Sequence, residues 1–172
     1  MAKTAVSTVS TDAGTEELRK QLVALLREGQ AHTTLDEAIK DFPPEHRGTV
    51  PPGAPYSAWQ VLEHLRIAQR DILDFSAPPT GGYQRMAWPD DYWPKSPEPP
   101  SPHAWDAAIH AIRKDLETFE SLITKPTADL YKPFRWGEGQ NLLREALLIA
   151  DHNSYHVGQL VLIRRLVGAW GK

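Results

Sequence analysis

The chain is expected to be all-α, a four-helix bundle with long loops, and three observations point there. Four long segments repeat apolar residues at intervals of three and four. Two of these segments open on recognisable helix caps, and no segment alternates apolar with polar residues as a half-buried strand does. At 172 residues, the chain suits one domain with one buried core. Four amphipathic helices in one domain bury their stripes against one another, an arrangement in which facing side chains can build metal sites.

Thr15, followed by Glu16 and Glu17, marks the start of the first helix, because a capping hydroxyl and early acids suit the positive end of the helix dipole. Met1 to Gly14 then reads as a flexible N-terminal tail, and residues 15–172 as the bundle domain. Leu18, Leu22, Leu25 and Leu26 form the first stripe; the pattern resumes through Leu35, Ala38, Ile39 and Phe42 across a break at Gly29. Pro43 to Tyr56 is too rich in proline and glycine for regular structure and serves as a connection, with His46 solvated.

Ser57 with Gln60 is a capping box, and Val61, Leu65, Ala68, Ile72 and Phe75 carry the second helix. Ala77 to Pro100 has no periodicity. Loops of this length are uncommon in compact domains unless functional, and Tyr83, Trp88, Tyr92 and Trp93 indicate that this one packs onto something. It suits a wrap over the bundle end, a lid on a site, or a subunit contact. Ser101–Pro102 is expected to open the third helix, whose stripe runs from Trp105 to Ile123; His103 and His110 flank it as surface residues. The fourth helix starts near Gln140. Leu143, Ala146, Val157 and Val161 form a second apolar strip along it, the basis for expecting a homodimer.

Composition removes several classes of function. There is no cysteine, so disulfides, thiolate nucleophiles and cysteine-ligated metals are excluded, and any metal must sit on His, Asp or Glu. A net charge of -3 and a pI near 6.2 provide no basic surface for nucleic acid. No apolar run is long enough for a membrane span, and Met1 to Gly14 lacks the basic and apolar regions of a secretory signal. A cytoplasmic protein is the expectation.

The stretch that carries chemistry is Leu142 to Val167, where His152 and His156 lie four residues apart on one helix face. Seven histidines make some such pair common by chance, and Asn153 stands where the zinc-protease HExxH keeps its glutamate. The pair gains meaning from His64, which faces inward in the middle of the second helix, with Glu63, Arg66, Arg70 and Asp74 on the opposite side. Three buried imidazoles without partners would be costly, and one shared divalent ion would satisfy them. Gln60 and Asp71 share the face of His64; Glu145 and Gln159 share that of His152. Asp71 and Glu145 are candidates for acid–base work, while Gln60 and Gln159 are candidates for steadying the ligands.

Ser57 to Leu73, SAWQVLEHLRIAQRDIL, and Leu143 to Leu166, LREALLIADHNSYHVGQLVLIRRL, resemble the DinB/YfiT-like superfamily of metal-dependent enzymes. The resemblance implies an up-down-down-up bundle, commonly homodimeric. It also implies a divalent metal, usually nickel or zinc, held by His64, His152 and His156. Some relatives use a low-molecular-weight thiol as co-substrate. Three neutral imidazoles leave a coordination position open, as catalytic sites do, so a water or thiol nucleophile acting on a small-molecule substrate is expected, in hydrolysis or thiol transfer. Two other possibilities stand beside it: a metal that merely staples a binding or stress-response module, and a bundle without metal.

Overall fold

The computed structural model describes residues 11–170, and within them the only regular elements are helical. The helices are α1 (Thr11–Arg27), α2 (Leu35–Ile39), α3 (Ala58–Ser76), α4 (Ala104–Thr124) and α5 (Leu142–Leu166), with a 3₁₀ turn at Pro44–His46. The tail expected before Thr15 lies outside the described residues up to residue 10. From Thr11 the backbone is already helical, so α1 starts four residues before the expected cap. Gly14 is exposed there, and a single glycine weakens an exposed helix by about 1 kcal/mol without ending it.

The break at Gly29 has a backbone cause. Gly29 has a φ of +61°, and a Cβ there would stand 2.6 Å from the His32 carbonyl oxygen, so the chain turns at a residue that only glycine fills without strain. Thr34 then caps α2 in a reciprocal box with Glu37. Ser57 does the same for α3: its hydroxyl accepts from the Gln60 amide while Gln60 Oε1 accepts from the Ser57 amide. Contrary to expectation, Ser101–Pro102 does not open the third helix. The pair forms a turn in which the Ala104 amide donates to the Ser101 carbonyl, and α4 begins at Ala104. Asn141 caps α5 by accepting from the Arg144 amide.

Cross-helix bonds set the directions. Arg19 donates to the Ile123 carbonyl and Arg27 pairs with Glu120, so α1 runs against α4. Gln69 bonds the Ile112 carbonyl and Arg70 bonds Asp115, which makes α3 and α4 parallel. His64 meets His152 and His156, while Ile72 and Leu73 further along α3 share a cluster with Ala146 and Ile149 earlier in α5, so α5 runs against α3. The order is up-down-down-up. A parallel neighbour after α3 requires the chain to travel back the length of the bundle, and the loop from Ala77 to His103 makes that journey.

Two apolar clusters fill the bundle. One gathers Trp59, Leu62, Leu65, Trp105, Leu160 and Ile163 with α2; the other gathers Leu22, Ile72, Phe119, Ile123, Ala146 and Ile149. Each fully buried Leu or Ile contributes about 1.5–3 kcal/mol. Polar residues of α3 and α5 interrupt this core where the clusters meet: His64, Gln69, His152, Asn153 and His156. Along the second strip of the last helix, Ala146 and Val157 are buried, and Leu143 and Val161, partly buried, pack against the two clusters, so much of that strip is taken up by the fold. No helix among the described residues is long and apolar enough to cross a membrane.

Candidate metal centre

Antiparallel packing of α3 on α5 brings the three predicted histidines together. Their nearest ring nitrogens all lie within 4.8 Å of one another, and His64 Nε2 stands 3.1 Å from His152 Nε2. His64 is 2% exposed, His156 is 5% exposed, and His152 is half-buried. The cluster is compatible with a divalent metal. Imidazole nitrogens sharing one tetrahedral ion at about 2.0–2.1 Å stand roughly 3.3 Å apart, close to the 3.1 Å between His64 and His152.

Each outer nitrogen shows which way its ring is held. His64 Nδ1 lies 2.9 Å from the Tyr92 carbonyl oxygen and His156 Nδ1 lies 2.7 Å from Gln159 Oε1. Both acceptors require Nδ1–H, so both rings turn an Nε2 lone pair inward. His152 then faces a choice. If its own Nε2 is bare, two lone pairs oppose each other at 3.1 Å; if Nε2 carries the proton and donates to His64, its buried Nδ1 has no hydrogen. Burial, with His64 adding to it, pushes the His152 pKa down to about 4, so the ring does not carry both protons near neutral pH. Burial and His152 likewise push His156 to about 4, and burial lowers His64. Near neutral pH the three rings are uncharged. His64, His152 and His156 would offer a divalent cation three neutral imidazole donors without any added proton, and the donor set fits such an ion.

The long loop forms one wall of this centre. Trp93 stacks on His64 at 3.9 Å between centroids with planes 3° apart, and Tyr56 stacks on the other side of Trp93. Tyr83 and Tyr92 both donate to Asp71, at 2.9 and 2.6 Å. Burial raises the Tyr83 pKa to about 12 and raises that of Tyr92 as well, so both remain hydroxyl donors. Gln60 Nε2 donates to the Pro94 carbonyl and the Ser57 hydroxyl to the Pro97 carbonyl, pinning the loop to the start of α3. Of the roles open to this loop, the bonds describe a wrap that also closes the side of the centre.

The remaining predicted residues fall into two groups. Gln159 touches His156 directly. Gln60 is occupied by the Ser57 cap and the Pro94 carbonyl, so it reaches the histidines only through the loop. Asp71 and Glu145 lie seven residues from His64 and His152, about 10 Å along their helices, and neither belongs to the imidazole cluster. Asp71 acts on His64 through Tyr92. Glu145 is 1% exposed and bonded to Arg144; burial, with a smaller effect from Asp71, raises its pKa. His103 and His110 are exposed on α4, away from the centre. Sequence reasoning missed the Tyr92 carbonyl, Trp93, Gln69 and Asn153 as its surroundings. The aromatic density of the loop was the only signal, since a backbone carbonyl leaves none.

An all-helical bundle with three converging imidazoles across two antiparallel helices defines a class of helical domain compatible with metal binding. The chain belongs to the DinB superfamily, whose family model matches residues 27–160, a span that contains all three histidines. No curated protein and no solved structure matches it.

Proposed function

We propose that the chain is a metal-dependent enzyme in which His64, His152 and His156 hold a divalent cation, nickel or zinc. The observation that carries this reading is the convergence of three imidazoles that burial keeps neutral, with His64 Nε2 and His152 Nε2 3.1 Å apart. Three imidazoles, with no fourth His, Asp or Glu joined to them among the described residues, support an open coordination position rather than a closed staple. A cation bound there supplies Lewis-acid chemistry that lowers the pKa of a water or thiol, the basis for hydrolysis or for transfer to a low-molecular-weight thiol.

The surrounding residues hold the ligands and handle protons. The Tyr92 carbonyl and Gln159 keep His64 and His156 in the Nδ1–H form. Trp93 and Tyr56 cover one side of His64 and exclude water from it. Glu145 holds its proton to higher pH than an ordinary carboxyl and is the better candidate for a proton donor; Asp71, accepting from two tyrosines, serves the loop first.

We also propose a homodimer, through a different face of α5 from the one the sequence suggests. Leu147, Tyr155, Leu162 and Leu166 are all about half exposed or more and fall within roughly 100° around the helix. Sedimentation of the wild type as a dimer and of Leu162→Glu as a monomer is the expected outcome; a wild-type monomer at micromolar concentration removes this proposal.

The deciding experiment is metal content by mass spectrometry of untagged protein, for the wild type and a His152→Ala, His156→Ala double variant. About one equivalent of nickel or zinc, lost in the variant, is expected. No uptake by the wild type after incubation with both metals would sink the reading.

A further inference from the structure

His152 is the one ligand whose outer nitrogen has no partner: Nδ1 is buried and unbonded. Its neighbour in the chain has the complementary defect, because Asn153 Oδ1 is also buried and unbonded. The two atoms belong to consecutive residues and are not bonded to each other as placed, so a small side-chain rotation would join a nitrogen that must carry hydrogen, if Nε2 is to face the centre, to an acceptor with nothing to accept. The orientation of the Asn153 amide is decided two steps away. The Ile112 carbonyl of α4 can only accept, so Gln69 presents Nε2 to it at 2.6 Å; Gln69 Oε1 must then face Asn153, which meets it with Nδ2 at 2.9 Å. This leaves Oδ1 as the free end. An amide flip at either residue would set two acceptors or two donors against each other.

We propose that Asn153, held by Gln69 from the Ile112 carbonyl, is a positioning residue that accepts the Nδ1–H of His152 and so turns the His152 Nε2 lone pair toward His64 and His156. This completes a set: each imidazole has its own acceptor, from the loop for His64, from α5 for His156, and from the α3–α4 contact for His152. The position needs a donor on its Gln69 side and an acceptor on its His152 side. Aspartate offers only acceptors and leucine offers neither, so the glutamate of the HExxH pattern would fail here. On an α-helix the residue after His152 points about 100° away, toward the α3–α4 contact rather than the centre.

The purpose of this device rests on the metal reading, but its tautomer does not, and the test separates them. Histidine-¹⁵N-labelled wild type, Asn153→Leu and Asn153→Asp are compared by long-range ¹H–¹⁵N NMR, metal-free and with one equivalent of zinc chloride. Zinc affinity is measured against a chromophoric chelator, and metal-free melting is recorded. With zinc, wild-type His152 is expected to carry its proton on Nδ1. In Asn153→Leu, affinity falls about 10–100-fold, and metal-free His152 shifts toward the Nε2–H form that donates to His64. Asn153→Asp keeps the Nδ1–H form and most of the affinity while melting lower than the leucine variant, because its carboxylate opposes Gln69 Oε1. A purely structural role predicts the reverse, affinity following melting temperature. Unchanged tautomer and zinc affinity in Asn153→Leu would overturn the proposal. If the wild type binds no zinc, the metal reading falls alone, and the metal-free tautomer still decides the role of Asn153.

Discussion

Acidification of the metal-free protein offers the most direct physical check on the buried imidazoles. An unfolded chain protonates histidine near 6.5, whereas burial lowers His152 and His156 in the fold to about 4. Between those values the unfolded state binds protons that the folded state refuses. Stability is therefore fully present above pH 6.5 and is lost as the pH falls toward 4. The shift corresponds to about 3 kcal/mol for each ring, and His64, lowered in the same direction, adds to it. Against a total stability of about 5–15 kcal/mol, such a loss is large. Urea unfolding from pH 7.5 to 4.5, with chelator present and followed by tryptophan fluorescence, measures it. The wild type should lose several kcal/mol across this range, and a His152→Gln, His156→Gln variant less than half as much. Parallel profiles for wild type and double variant would refute the argument that burial keeps these rings neutral.

Three further outcomes follow from particular contacts. Asp71→Asn weakens two tyrosine hydrogen bonds to a carboxylate; loosening of the loop by about 1.5–3 kcal/mol should appear as faster limited proteolysis between residues 77 and 100, and an unchanged cleavage rate would contradict the clasp. Arg27→Ala leaves the Glu120 carboxylate, 6% exposed, without its partner, and should cost about 2 kcal/mol in urea unfolding at pH 7; much of the loss should return in Arg27→Leu, Glu120→Leu, where no charge is stranded. Ser57→Ala removes both the α3 cap and the bond to the Pro97 carbonyl, so thermal melting should register about 1–2 kcal/mol, more than the cap alone at an exposed helix end.

The helices themselves were legible because their signals are local. Ser57 and Gln60 form a capping box whatever else the chain does, and a stripe such as Trp105, Ile112, Phe119 and Ile123 repeats with the helix turn. Local signals also misled where two structures compete for one pattern. Ser101–Pro102 suits a helix start and a tight turn equally, and packing of Trp105 into the core favoured the start at Ala104. The strip at Leu143, Ala146, Val157 and Val161 looked like spare apolar surface, since periodicity reports that a face is buried and not against what. Two of its residues are buried and the other two pack partly against the clusters.

For the site, the sequence determined which histidines could converge: i and i+4 on one helix, and an inward imidazole on another, are facts of helical geometry that survive any arrangement of the rest. What the three rings do with their protons was decided by tertiary structure alone. The acceptor for His64 is a backbone carbonyl of a loop 28 residues away, and the amide beside His152 takes its orientation from a carbonyl on α4. A carbonyl is carried by every residue alike, so no side-chain pattern announces it. Only the fold, by bringing α3, α4, α5 and the long loop to one point, determines which lone pairs remain to face the centre.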